Sequence, residues 1–162
     1  MSGALPEAPA ERAAAVVERV LAALDVRGRV TVAEDADELR LEVEGEHDAG
    51  PLIGKHGATI DALQHVVARV AFRGREAERK RVVVDVAGYR ERRQAALERA
   101  AERAAEDAVS FGRAVELDPM NAFERRIVHN HLKHRDDVET HSEGEEPERR
   151  LVVTPSSPSP SD

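Results

Sequence analysis

Apolar residues recur along this chain in two rhythms, and the change from one to the other marks out its elements. From Glu11 onward, Ala13, Val16, Val17, Val20, Leu21 and Leu24 recur at steps of three and four and form one helical face, closed by Gly28. Residues 29–33 (Val30, Val32) and 39–44 (Leu39, Leu41, Val43) alternate apolar with polar, predicting two strands with one buried face and an acidic turn at 34–38. A glycine-rich hinge follows, Gly50-Pro51-Leu52-Ile53-Gly54-Lys55-His56-Gly57. It opens into a helix whose stripe Ile60, Leu63, Val67, Val70 ends near Phe72, and the β-branched run 81–86 predicts a third strand.

A short joint at Gly88-Tyr89 begins a second helical run, with Leu97, Ala101, Ala104, Ala108 and Phe111 as its stripe and Gly112 as its stop. A short strand is expected at 114–117. Asp118-Pro119 is a turn with Pro119 in the first turn of a helix reaching about His134, which buries Phe123, Ile127 and either Val128 or Leu132. Val138 and Thr140, then Leu151 and Val153, alternate with polar neighbours, and 142–147 joins them as a hairpin connection. Residues 1–10 read as a flexible start. The Ser/Pro-rich end from Thr154 reads as a disordered tail whose Thr154, Ser157 and Ser159 each precede a proline.

Composition narrows the function classes. At 162 residues the chain holds one ordinary domain or two small ones. Its only aromatic residues are Phe72, Tyr89, Phe111 and Phe123, which argues against the folds that read bases on aromatic platforms. With no cysteine there is no disulfide framework, thiolate nucleophile or Cys-based metal site. The net charge is −8, and each of residues 1–88 and 89–162 carries 12 basic and 16 acidic side chains, so any phosphate binding has to be local. The eight carboxylates between Glu34 and Asp48 mark an outward side, away from any polyanion.

The loop Ile53-Gly54-Lys55-His56-Gly57-Ala58-Thr59-Ile60 suits a sugar–phosphate backbone. Glycines permit close approach, the helix start offers the amides of Ala58 and Thr59, and Lys55 adds a mobile cation. Ile53, Ile60 and Leu63 are candidates for an apolar groove floor. With its element order, the segment 11–86 resembles a KH domain of the bacterial type II arrangement (α-β-β-α-α-β), and Gly54-Lys55-His56-Gly57 matches the KH clamp loop. A second basic residue is frequent at the place of His56, whose charge depends on pH.

Arg125-Arg126-Ile127-Val128-His129 places an Arg and a His four apart, on one helix face and able to share one phosphate. Together with 142–150 it resembles an R-three-H domain, a module associated with single-stranded nucleic acid, its namesake residues met by Arg125 and His129 with Arg126 as an auxiliary. His129 and His131 point about 200° apart on a helix, and His131 and His134 match no catalytic metal spacing, so no metal site is expected. The basic run Arg69, Arg73, Arg75, Arg79, Lys80, Arg81 extends a phosphate track or is solvated helix-end charge; Arg90, Arg92 and Arg93 are weaker candidates.

The tandem resembles the Jag (SpoIIIJ-associated, KhpB-like) family of bacterial RNA-binding proteins, many of which carry an extra N-terminal domain that this chain is expected to lack. The resemblance implies an α/β protein with a KH domain at 11–88, an R-three-H domain at 89–154 and a tail at 155–162. It implies single-stranded RNA binding (single-stranded DNA being the open alternative) in the cytoplasm, with no cofactor and no enzymatic chemistry. It also implies a small single-KH partner protein and a role in post-transcriptional regulation, RNA chaperoning or cell shape. The rival readings are a protein-interaction module in envelope and growth regulation with incidental RNA contact, and a hydrolase built on the histidines.

Overall fold

Helix α1 spans Pro9–Ala23, two residues earlier than the apolar pattern alone predicts, because a proline in the first turn forfeits no hydrogen bond. It buries Ala13, Val17 and Leu21, with Val16 and Val20 packed at the rim and Leu24 exposed. The computed structural model describes residues 6–45 and 49–156. By contact density these fall into two units, Met1–Arg90 and Glu91–Asp162. Residues 1–5, 46–48 and 157–162 lie outside the described residues, and with them half of the start expected to be flexible, the end of the acidic segment, and Ser157 and Ser159 of the expected tail.

The first unit is a three-stranded sheet of order β1-β2-β3. Strands β1 (Gly28–Glu34) and β2 (Glu38–Gly45) pair antiparallel, and β2 pairs parallel with β3 (Arg81–Val86). Leu39, Leu41 and Val43 of the central strand are buried, as their alternation predicts. The same alternation fails on β1, where Val30 is half-buried and Val32 is 39% exposed. As an edge strand β1 has one neighbour and less cover. Helix α3 (Ala58–Ala71) packs on α1 and β3 with Ile60, Leu63, Val67 and Ala71 buried; Ala71 completes the stripe where Val70 is the expected member.

Side chains cover the middle and end of the outer edge of β3. Gln64 Oε1 accepts the Val84 N–H at 3.0 Å, Arg90 Nε donates to the Val84 carbonyl at 3.0 Å, and Asp85 Oδ1 accepts the Val86 N–H at 2.9 Å. Among the described residues, the outer edge of β1 has no such cover.

The second unit has a sheet of order β4-β6-β5, antiparallel throughout, from β4 (Val115–Glu116), β5 (Val138–Glu143) and β6 (Arg150–Pro155). Pro155, assigned from composition to the tail with Thr154 before it, closes this strand, and the Ser156 N–H donates to the Asp137 carbonyl at 2.8 Å. Helix α4 (Tyr89–Phe111) buries Leu97, Ala101, Ala104, Ala105 and Ala108. Phe111, expected to end that stripe, is 66% exposed at the last residue of the helix, with the Arg113 guanidinium 5.6 Å from its ring centre.

Helix α5 runs from Ala122 to Leu132, not from Pro119 to His134. Its start is set by Asn121, whose side chain accepts the Glu124 N–H while the Glu124 carboxylate accepts the Asn121 N–H, a reciprocal capping box. The buried face is Glu124, Arg125, Val128 and Leu132, so both of the alternative apolar positions are inside. Ile127 is half-buried, and Phe123, expected in the core, is 68% exposed.

Candidate nucleic-acid interface

The first candidate surface is the turn between α2 (Gly50–Ile53) and α3. This one-turn helix plants Leu52 in the core and leaves Ile53 half-buried beside it. Gly54, at φ 72 and ψ 176, occupies a region essentially reserved for glycine. Thr59 folds back over it: a Cβ on Gly54 would lie 2.8 Å from the Thr59 nitrogen and closer still to its hydroxyl. His56 (φ 54) and Gly57 (φ 79) are also left-handed, and histidine is among the few side chains that tolerate this. The loop is thus a fixed shape.

That shape changes the roles read from the sequence. Gly57 is buried, and a Cβ there would stand 2.9 Å from Cε1 of Tyr89, so its missing side chain admits a tyrosine ring and not a nucleotide. The Ala58 N–H donates to the Lys55 carbonyl and is not an open donor. Ile60 is fully buried and Leu63 is 6% exposed; both belong to the core and not to a groove floor, because α3 needs them against the sheet. What faces outward is Lys55 and Ala58, with Gly54, His56 and Thr59 half-buried.

Electrostatically the turn is favoured by what lies behind it. Lys55 forms no ion pair among the described residues, whereas Asp61, in the first turn of α3, pairs with Arg90 at 2.9 Å. Arg90 thereby offsets the one acidic charge of that turn. The neighbouring basic run is partly consumed: Arg75 pairs with Glu78, Lys80 with Glu34 and Arg81 with Glu38.

The second candidate surface lies between α5 and β5. An open cleft of about 450 Å³ is lined by Arg126, His129, Thr140, His141, Ser142 and Arg149, among others, with Arg125 contributing to its wall. His129 Nδ1 sits 2.6 Å from Thr140 Oγ1, which fixes the ring, and His141 Nε2 lies 2.7 Å from Glu143. Helical spacing brings Arg126 and His129 to this cleft, but it does not mark out Thr140, Ser142 or Arg149. The signal available for two of them is the period of β5, which puts Thr140 and Ser142 on one face.

Arg125 has a different position from that expected of a phosphate ligand. It is 8% exposed, and its NH1 donates to the carbonyls of Met120 (2.5 Å) and Arg149 (3.5 Å) while NH2 meets the Glu146 carboxylate. That contact is the main reason the Glu146 carboxyl is held below its ordinary range. Arg125 therefore ties the start of α5 to the β5–β6 connection and shapes the cleft. Arg93 is likewise engaged, with buried Glu124 at 2.7 Å.

The remaining histidines face elsewhere. His131 Nε2 and Arg135 NH1 both lie 2.9 Å from the Glu102 carboxylate, and Arg135 also binds Asp137. Among the described residues no three His, Cys, Asp or Glu side chains are arranged to hold a metal ion.

Residues 11–86 match the family model described as KhpA/KhpB, KH domain, and residues 95–155 match the model of the R-three-H domain. The RNA-binding protein KhpB of Bacillus subtilis is 30% identical over 148 residues, 90% of this chain and 70% of that protein. The chain belongs to the KhpB family. The KhpB proteins of Clostridium symbiosum (36% over 146 residues) and Lactiplantibacillus plantarum (48% over 104 residues) are similar too. The matched region spans 89% of this chain and 65% of the first KhpB, but 64% of this chain and only 32% of the second. The order expected from the sequence, KH and then R-three-H, is that of the family models, and the mixed α/β fold agrees with it. Among the described residues no helix is long and apolar enough to cross a membrane.

Proposed function

We propose that this chain binds single-stranded RNA non-covalently through two surfaces, the Gly54–Gly57 turn and the α5–β5 cleft. The observation that carries the reading is the turn itself. A glycine-only conformation at Gly54 fixes a tight turn just ahead of a 14-residue helix and leaves Lys55, which has no ion pair among the described residues, exposed outside it. Lys55, His56 and the Thr59 amide contact one phosphate stretch, with Ile53 beneath the bases. Arg126, His129 and Arg149 contact another, and Arg125 holds the cleft in shape. Two modest contacts on one strand raise affinity through effective concentration, which suits a chain of net charge −8.

The rest of the reading follows from the family. The chain acts in the cytoplasm without a cofactor, as a post-transcriptional regulator or RNA chaperone, and it associates with a small single-KH protein. Its KH region runs over residues 11–88 and its R-three-H region over 89–154.

A salt series against a short unstructured RNA tests it. The double variant Lys55→Asp with His56→Asp is expected to lose most of the affinity. Arg126→Ala is expected to weaken binding and reduce the slope of log K against log salt by about 0.7, the value for one phosphate on a single strand. Unchanged affinity in the double variant removes the turn from the interface.

A further inference from the structure

The most exposed large apolar side chain of the second unit is Phe123, at 68%. It stands one turn before Arg126 and seven residues before Asn130, and all three are exposed, so they form a stripe adjoining the cleft-facing residues Ala122, Arg126 and His129. The helix does not need the ring for its own packing, because its buried face is Glu124, Arg125, Val128 and Leu132. Two of the four aromatic residues are largely in water, Phe111 at the end of α4 and Phe123, and Phe123 stands beside a cleft lined by arginine and histidine.

Building on the proposed RNA reading, we infer that Phe123 is a base-stacking platform for the strand bound at the cleft. Arginine and histidine supply what a phosphate needs, and a flat apolar face supplies what an unpaired base needs; their separation by one helical turn matches a nucleotide whose two ends are recognised by different chemistry. Stacking tolerates any base, so this contact adds affinity and favours single strands, whose bases are free, over duplexes. It also places the strand's direction across α5, with phosphates over Arg126 and His129 and bases toward Phe123.

The test uses the full chain and two RNAs of equal length, one intact and one abasic. Phe123→Ala is expected to lose roughly five- to hundredfold in affinity for the intact strand, with an unchanged salt slope, and to match the parent on the abasic strand. Phe123→Trp gives the chain its only tryptophan. It is expected to keep affinity, with its emission quenched by the intact strand and not by the abasic one. An Ala variant that binds intact RNA as tightly as the parent, while Arg126→Ala weakens it, overturns the stacking role and leaves the cleft standing; the ring then belongs to a protein contact. A parent that binds neither strand overturns the RNA reading and the platform with it.

Discussion

The two units solve the same problem, placing a small polar surface beside a core, with different materials. The first has a core mainly of Leu, Ile and Val from α1, α2, α3, β2 and β3, and its site is mainly backbone: Gly54 and Gly57 define the turn, and Lys55 hangs outside it. The second is built on alanines of α4, and buried charge does part of the packing, with Glu124 at 3% and Arg125 at 8% exposure. The lesson is one of separability. In the first unit the residues that face a ligand can change without touching the core, whereas in the second the namesake arginine is a structural member.

The sharpest break in that contrast is Gly57. Gly57→Ala forces a Cβ to 2.9 Å from the Tyr89 ring at a φ of +79, and the strain and overpacking together are expected to cost about 3 kcal/mol, read as faster amide exchange across the first unit. Next, Arg125→Met leaves the Met120 carbonyl without its donor, an expected loss of about 2 kcal/mol in urea unfolding. Lys55→Asp is expected to stay within about 0.5 kcal/mol of the parent while changing RNA affinity. Equal destabilisation by the two would erase the distinction between the units.

Smaller effects sharpen it. Asn121→Ala removes half of the capping box and is expected to cost about 1 kcal/mol, with exchange rising first in α5. The smallest is an acid response. Hydrogen bonding from Arg135 holds the carboxyls of Glu102 and Asp137 below their ordinary range near pH 4. Their contribution is present above that range and is lost as pH falls through the lowered native values. The melting temperature of the second unit is expected to drop over that interval, and Glu102→Gln to flatten the drop.

Much of the fold could be read from the chain because its apolar periods are clean where burial is apolar. The alternation Leu39, Leu41, Val43 and the stripe Ile60, Leu63, Val67 mark buried positions, although the stripe alone does not tell core from groove floor at Ile60 and Leu63. Helix α5 shows why the reading failed elsewhere. Its inward face holds Glu124 and Arg125 beside Val128 and Leu132, so a hydropathy pattern finds Ile127, Val128 and Leu132 but adds the exposed Phe123 in place of the two charged residues. The start also differs: Pro119 is a common helix opener, but the Asn121 side chain, two residues later, accepts the Glu124 amide and caps the helix there. At the Gly54–Gly57 turn the sequence carries the residue types and the glycine requirement. It cannot say that Tyr89, 32 positions away, fills the space beside Gly57.

The closed margin of β3 has a consequence for assembly. With the Val84 amide and carbonyl already engaged by Gln64 and Arg90, this sheet offers another strand more open backbone groups alongside β1 than alongside β3. Growth on one side alone ends at a pair of molecules, since each newcomer presents the same blocked flank.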